Sequence, residues 1–244
     1  MTYSTINPAT GETVRTFEDI SDADLDNALD TARSCYQDDW RHRPVTDRAR
    51  IMKAAAAELR ANAAEYAQVV TVEMGKLIGT SEAEVGLSAA ILDYYAHRAE
   101  TFLAPKELPE SPGAVIETEP IGVILGIEPW NFPYYQLARV AGPQLMAGNV
   151  LVIKHAENVP QCALAFARLF ETAGAPAGVY TNVFASIDKI ETRHLPHNQK
   201  DAINADACCF LNSLGQAHRK LALLFLGSSD TDIAGDDRHG ILLY

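Results

Sequence analysis

The spacing of apolar and polar positions divides the chain into a helical first part and a second part in which strands and helices alternate. Ser21 and Asp22 are helix-capping residues ahead of an apolar stripe at helical spacing, Leu25, Ala28, Leu29, Ala32, Cys35 and Tyr36. Thr46 and Asp47 start a second predicted helix with Ile51, Ala55 and Leu59 on one face. A third carries Tyr66, Val69 and Val70 and ends at Met74-Gly75-Lys76, where glycine can take the left-handed cap. A fourth runs from residue 81 to about 102, with Leu87, Ala90, Ile91 and Tyr94 as its apolar face. Residues 105–113 read as a turn-rich connector.

Beyond the connector the period changes. Residues 114–119, 121–127, 149–154 and 179–185 read as strands. Pro133 opens a helix that can bend at Pro143, and Pro160 opens another that runs to Thr172. The last three strands with their two helices form β-α-β-α-β, one mononucleotide-binding half of a doubly wound parallel sheet. The expected fold class is therefore α/β, with N-terminal helices followed by an incomplete doubly wound, Rossmann-like parallel sheet. Right-handed crossovers bring the three strand ends to one edge, so Asn131, Lys154 and Ser186 are expected to face one crevice.

Composition narrows the partners. A chain of 244 residues can hold one large or two small domains. Its 32 acidic and 20 basic residues leave a net charge of −12, which repels a phosphate backbone and argues against nucleic-acid binding. The opening MTYSTINPATGE lacks the basic and apolar regions of a signal peptide, and no apolar run is long enough to cross a membrane. Cysteines 35, 162, 208 and 209 form no C-x-x-C pair, the usage of reduced thiols in a cytoplasmic protein.

Two segments carry candidate chemistry. In GVILGIEPWNFP, residues 122–133, a strand-like run stops at Glu128-Pro129 and Asn131 follows at the crevice. An uncharged amide there can stabilise a developing oxyanion without a proton transfer. In Lys154-His155-Ala156-Glu157, a lysine with a carboxylate three residues on can hold the two hydroxyls of a ribose, and the carboxylate would repel a 2′-phosphate. The same residues also read as a charged helix start, with Glu157 complementing the dipole and Asn158 capping, and spacing alone favours that second reading.

The ordered motifs resemble those of the aldehyde dehydrogenase superfamily. Asn7-Pro8-Ala9-Thr10-Gly11-Glu12 is similar to its opening NPATGE, and Glu73-Met74-Gly75-Lys76 to its EMGK. Leu92-Asp93-Tyr94-Tyr95-Ala96 is similar to its helix before the connector; PWNFP, LMAGNVLVIKHAE and AGAPAGVYTNV then follow in the family's order. The resemblance covers roughly residues 5–188, and the wording around PWNFP is most similar to succinate-semialdehyde dehydrogenases. It implies NAD(P)-dependent oxidation of a small aldehyde such as succinate semialdehyde. By the same resemblance Asn131 is the donor to the thiohemiacetal oxyanion. Ile127, Glu128, Pro129 and Trp130 line the nicotinamide and adenine-ribose crevice, with a packed core aromatic as the other reading of Trp130. Lys154 and Glu157 hold the ribose, the cofactor is NAD or NADP with NAD favoured, and His155 is structural or exposed and not a base.

The pattern departs from the family after about residue 190, so the chain divides into 1–190, an incomplete cofactor-binding region, and 191–244, a divergent and loosely ordered tail. The family's glycine turn under the pyrophosphate is not found, so cofactor binding is expected to be weak. The ELGG-like stretch 223–230 has Phe225 where the catalytic glutamate belongs, and phenylalanine cannot activate water. Cys208-Cys209 has no basic neighbour to lower a thiol pKa. Gly215-Gln216-Ala217-His218 is similar to the family's G-Q-x-C with histidine for cysteine, but precedes the ELGG-like stretch where the family's follows it. His194, His197, Cys208 and Cys209 match no zinc spacing, so no metal is expected. Two classes stand: an aldehyde dehydrogenase-family oxidoreductase by descent, truncated and inactive alone, or a non-catalytic remnant that associates with a full-length relative.

Overall fold

A computed structural model of the chain describes residues 3–111, 113–186 and 188–189. The expected tail of residues 191–244 and its candidate groups, His194, His197, Cys208, Cys209, His218 and Phe225, therefore lie outside the described residues.

The chain opens on an antiparallel hairpin that was not anticipated from the sequence, β1 (Tyr3–Ile6) with β2 (Thr13–Phe17). It is short, and β2 is almost wholly exposed, so its pattern carries little apolar alternation. Helices α1 (Asp22–Asp38), α2 (Val45–Ala61), α3 (Ala63–Met74) and α4 (Ile78–Leu103) follow. The expected signals act at two boundaries. Ser21 Oγ accepts the Asp24 N–H at 3.1 Å and caps α1, and Gly75 ends α3 in the left-handed region at φ 74°.

For α4 the expected face is corrected. Leu87 and Tyr94 are about half exposed, at 49% and 50%. The buried stripe is Ser81, Glu84, Val85, Ser88, Ala89, Leu92, Ala96 and Ala99. Small residues let α4 pack closely on α2 and on the helix after PWNFP, and the polar members of the stripe find partners inside. Hydropathy alone points to the wrong side of such a helix.

The connector forms a two-residue ribbon, β3 (Lys106–Glu107) with β4 (Val115–Ile116). The strand expected over 114–119 is thus reduced to two residues, which stand outside the main sheet.

That sheet has the expected order and sense: β5 (Val123–Glu128), β6 (Val150–His155) and β7 (Tyr180–Asn182), all parallel, with β6 central. All six residues of β6 are buried, as befits a parallel strand covered on both faces. The crossovers are α5 (Pro133–Ala147), which contains Pro143, and α6 (Pro160–Thr172); α1 packs against all three strands. Tyr134 stacks on Phe166 at 6.1 Å and Phe170 on Tyr180 at 5.0 Å between ring centroids, which fixes α5, α6 and β7 together.

Candidate functional site at the carboxyl edge of the sheet

Parallel pairing in the register Ile127↔Lys154 and Glu128↔His155 puts the ends of β5 and β6 side by side, and Val183 N donates to Ile153 O at 2.9 Å just past β7. Asn131, Glu157 and Ser186 each lie a few residues beyond those ends, at one edge of the sheet. Asn131 is exposed on the turn between β5 and α5. Trp130 and Phe132 on either side of it are 49% and 42% exposed, so Trp130 is not a packed core aromatic. Ile127 and Pro129 keep partial access, whereas Glu128 is buried with only 5% exposure. Ser186 Oγ accepts the Lys189 N–H at 3.3 Å.

Burial pushes the Glu128 carboxyl up to about 8, with Arg139 pulling the other way. A side chain at Gly126 would meet Ile153 Cδ1 at 2.5 Å and Glu128 Oε1 at 3.4 Å, so the glycine leaves room for the Glu128 side chain to lie against the strand. His155 is fully buried, and desolvation lowers its pKa to about 4. Its Nδ1 accepts the Ala156 N–H at 2.8 Å and its Nε2 lies 3.2 Å from Pro133 O, the pattern of a neutral ring that donates through Nε2. It is structural.

Lys154 is 2% exposed. Its Nζ reaches Glu157 Oε1 at 2.5 Å and His155 O at 3.3 Å, and lies 5.4 Å from the centre of the Tyr3 ring. Burial pushes the Glu157 carboxyl up, but the hydrogen bond from Lys154, a backbone N–H and the lysine's charge together outweigh it and hold the group below its ordinary value. Glu157 keeps 34% of its side chain exposed, so the carboxylate, oriented by the lysine, is the accessible member of the pair. The hairpin braces this arrangement: Ser4 N donates to Glu157 O at 3.1 Å and Tyr3 Oη to Ala185 O at 2.9 Å.

Two residues given no site role from the sequence complete the edge. Helices α5 and α6 both begin with proline after a residue that gives no side-chain cap, leaving free N–H groups at each start. Glu84 of α4 caps the first, accepting Tyr134 N at 2.9 Å and Tyr135 N at 3.2 Å through Oε1. Glu73 of α3 caps the second, accepting Gln161 N at 2.8 Å and Cys162 N at 2.9 Å. A helix start facing the strand ends is the usual cradle for a pyrophosphate, and here both are filled by protein carboxylates. Among the described residues, the edge therefore offers an acceptor for ribose hydroxyls but no free helix start for a diphosphate. The sequence signal was a glutamate at a core-facing position of each of two helices, read against a proline-opened helix with no cap of its own.

Neither described cysteine suits nucleophilic work. Burial drives the Cys162 thiol well above its ordinary pKa, and the nearby Glu73 carboxylate adds to this. Cys35 is pushed up to about 11, first by burial and then by Asp39. Its Cβ lies 2.9 Å from where a Gly178 side chain would begin, at the opposite edge of the sheet from Asn131. Among the described residues no group of three or more His, Cys, Asp or Glu side chains is arranged to hold a metal, and no helix is long and apolar enough to cross a membrane.

Comparison with known proteins agrees with this geometry. The sequence model of the aldehyde dehydrogenase family matches residues 1–205. The chain is 41% identical over 239 residues to an NADP(+) succinate-semialdehyde dehydrogenase of Deinococcus radiodurans, covering 96% of this chain and 50% of that protein. It is 38% identical over 238 residues to the NAD(P)+ succinate semialdehyde dehydrogenase of Escherichia coli K12, covering 95% of this chain and 51% of the other. The chain thus spans about half the length of these relatives, and both alignments extend past residue 190. The crystal structure of succinic semialdehyde dehydrogenase from Streptococcus pyogenes in complex with NADP+ superposes with a TM-score of 0.74 at 40% identity, over 78% of this chain and 42% of that one.

Proposed function

The chain belongs to the aldehyde dehydrogenase family, and from that premise we propose that it carries the oxyanion and ribose side of an NAD(P)-dependent succinate-semialdehyde dehydrogenase site, with no working nucleophile or base among the described residues. The observation that carries the reading is the exposed Asn131 at the same sheet edge as the Lys154-oriented Glu157. In this reading the Asn131 amide donates to the oxygen on which negative charge develops as the aldehyde carbon is attacked. Glu157 accepts from the ribose hydroxyls of a bound dinucleotide, which supplies the hydride acceptor. Lys154, already engaged with Glu157 and His155 O, orients the carboxylate. Ile127, Pro129 and Trp130 are the neighbouring surface for the rest of the cofactor, with Glu128 buried beneath them. No base is available from His155, which is buried and neutral.

The choice between NAD and NADP follows from the charge at Glu157. A lone carboxylate would disfavour a 2′-phosphate, but this one is paired with an ammonium at 2.5 Å, which offsets most of that repulsion. Relatives whose names specify NADP(+) support acceptance of NADP, and the relative named for NAD(P)+ supports acceptance of both dinucleotides. With the helix starts of α5 and α6 filled, affinity is expected near the millimolar range, about 4 kcal/mol of binding free energy. Calorimetric titration is expected to give NAD and NADP dissociation constants within about fivefold of each other, with Glu157→Gln weakening both. Micromolar binding of either dinucleotide would overturn the weak affinity expected from the filled helix starts, and binding indifferent to the Glu157 substitution would remove Glu157 as the ribose acceptor.

A second reading, association with a full-length relative, is favoured by one feature. Trp130 and Phe132 form apolar surface on either side of Asn131, at 49% and 42% exposure. Co-elution of the chain with a full-length succinate-semialdehyde dehydrogenase in size-exclusion chromatography is the check, and independent elution of the two would end that reading.

A further inference from the structure

We propose that Lys76 and Glu84 form a clamp that presets the Asn131 turn, making both of them positioning residues for the oxyanion donor; this rests on the reading of Asn131 given above. Lys76 lies in the turn between α3 and α4, directly after Gly75. That glycine has φ 74°, and a side chain on it would meet Pro8 Cγ at 2.9 Å, so the backbone path that delivers Lys76 depends on it. The lysine Nζ forms an ion pair with Glu84 Oε2, donates to Asn131 O at 3.1 Å and sits 3.8 Å from the centre of the Phe132 ring. Glu84 uses its other oxygen, Oε1, for the Tyr134 and Tyr135 N–H groups.

One ion pair thus grips both sides of Asn131. The lysine holds the residue's own carbonyl and the ring after it, and the glutamate holds the first turn of the helix that begins two residues later. The side chains are nearly sealed, with 9% of Lys76 and 1% of Glu84 exposed, while Asn131 itself faces solvent. A charge-assisted pair at this burial is far less screened than a surface one. An oxyanion donor is effective when its position is set before charge develops; His155 Nε2 holds Pro133 O behind the exposed turn, and the Lys76–Glu84 pair holds Asn131 O itself. The clamp supplies that restraint from α3 and α4, elements that do not belong to the sheet.

The test is residue-resolved amide exchange and side-chain amide NMR on the intact chain. The unsubstituted chain should show slow exchange at Tyr134 and Tyr135, N–H groups that would exchange freely at an uncapped helix start. Lys76→Met is expected to speed exchange at both by tenfold or more and to shift the Asn131 side-chain amide resonances. Lys76→Arg should restore both signals. The Gln161 and Cys162 amides, held by Glu73, serve as the internal control and should not change. Fast exchange at Tyr134 and Tyr135 in the unsubstituted chain would overturn the proposal, and so would an unmoved Asn131 signal in Lys76→Met. Equal acceleration at Gln161 and Cys162 would also overturn it, because the lysine would then be a general structural support. None of these signals uses cofactor or turnover, so a failure of the oxyanion reading is seen separately, in the catalytic and titration experiments.

Discussion

Glu73→Ala is expected to destabilise the chain by about 4 kcal/mol, enough to unfold a sizeable share of it at 37 °C. The carboxylate accepts three hydrogen bonds from two elements, α6 and β1. Gln161 N and Cys162 N at the start of α6 are two of its donors, and Thr5 Oγ1 of β1 binds at 2.5 Å; Gln161 Nε2 donates in turn to Thr5 Oγ1 at 3.1 Å. Burial pushes the Glu73 carboxyl up and these donors pull it back, so the group is held in place against a desolvation penalty. Removing it leaves buried N–H groups without an acceptor, each worth roughly 1–3 kcal/mol. Glu73→Gln keeps an amide oxygen in the same place and should cost about half as much. Urea denaturation of the three proteins checks this, and a loss below about 1 kcal/mol for alanine would show that β1 and α6 are held by other contacts.

Glu128→Gln should do the reverse and stabilise the chain by about 3 kcal/mol at pH 7. In the folded chain the Glu128 carboxyl keeps its proton up to about pH 8, against an ordinary value of 4.5. The folded state therefore binds more protons than the unfolded one between these values, and stability falls as pH rises through that window. His155 works in the opposite direction. Its folded pKa is about 4 against 6.5, so the unfolded state binds more protons between those values and stability falls as pH drops from 6.5. The two slopes oppose each other in mild acid, and above about pH 6.5 only the Glu128 slope remains. Unfolding free energies at pH 6.5, 7.5 and 8.5 should decline for the unsubstituted chain and stay level for Glu128→Gln. Parallel profiles would mean that Glu128 is already ionised in the fold.

Much of this architecture was legible in the residues. The Ser21 cap, the Gly75 stop, the prolines that open α5 and α6, and the unbroken apolar run of β6 each state their own boundary through local chemistry. The place of Asn131, Lys154 and Glu157 at one sheet edge follows from strand order and crossover handedness, which are global but few in number. What escaped was tertiary. The inward face of α4 carries serines and a glutamate because it meets helix starts and close neighbours, information held by α5 and not by α4 itself. The opening hairpin has only a small apolar face, Tyr3 and Phe17 against Phe184, and it braces His155, Glu157 and Ala185 through single hydrogen bonds. The partners of Glu73, Glu84 and Lys76 were hidden for the same reason: each serves a group roughly 50–90 residues away in sequence. Where polar residues are buried to satisfy distant backbone, hydropathy gives no direction.

On the proposed function, the chain holds the Asn131 side of the family's site with no functioning nucleophile among the described residues. Cys35 and Cys162 are both held as thiols, Cys35 at the far edge of the sheet. Without a thiolate to attack the aldehyde, no hydride donor is presented to the nicotinamide. The direct measurement is reduced-cofactor absorbance with purified chain, succinate semialdehyde and saturating NAD or NADP. The expected result is no rate above a protein-free blank at any protein concentration. A rate proportional to protein that disappears in the Cys208→Ala, Cys209→Ala double variant would contradict the claim and make those two residues the site's nucleophile.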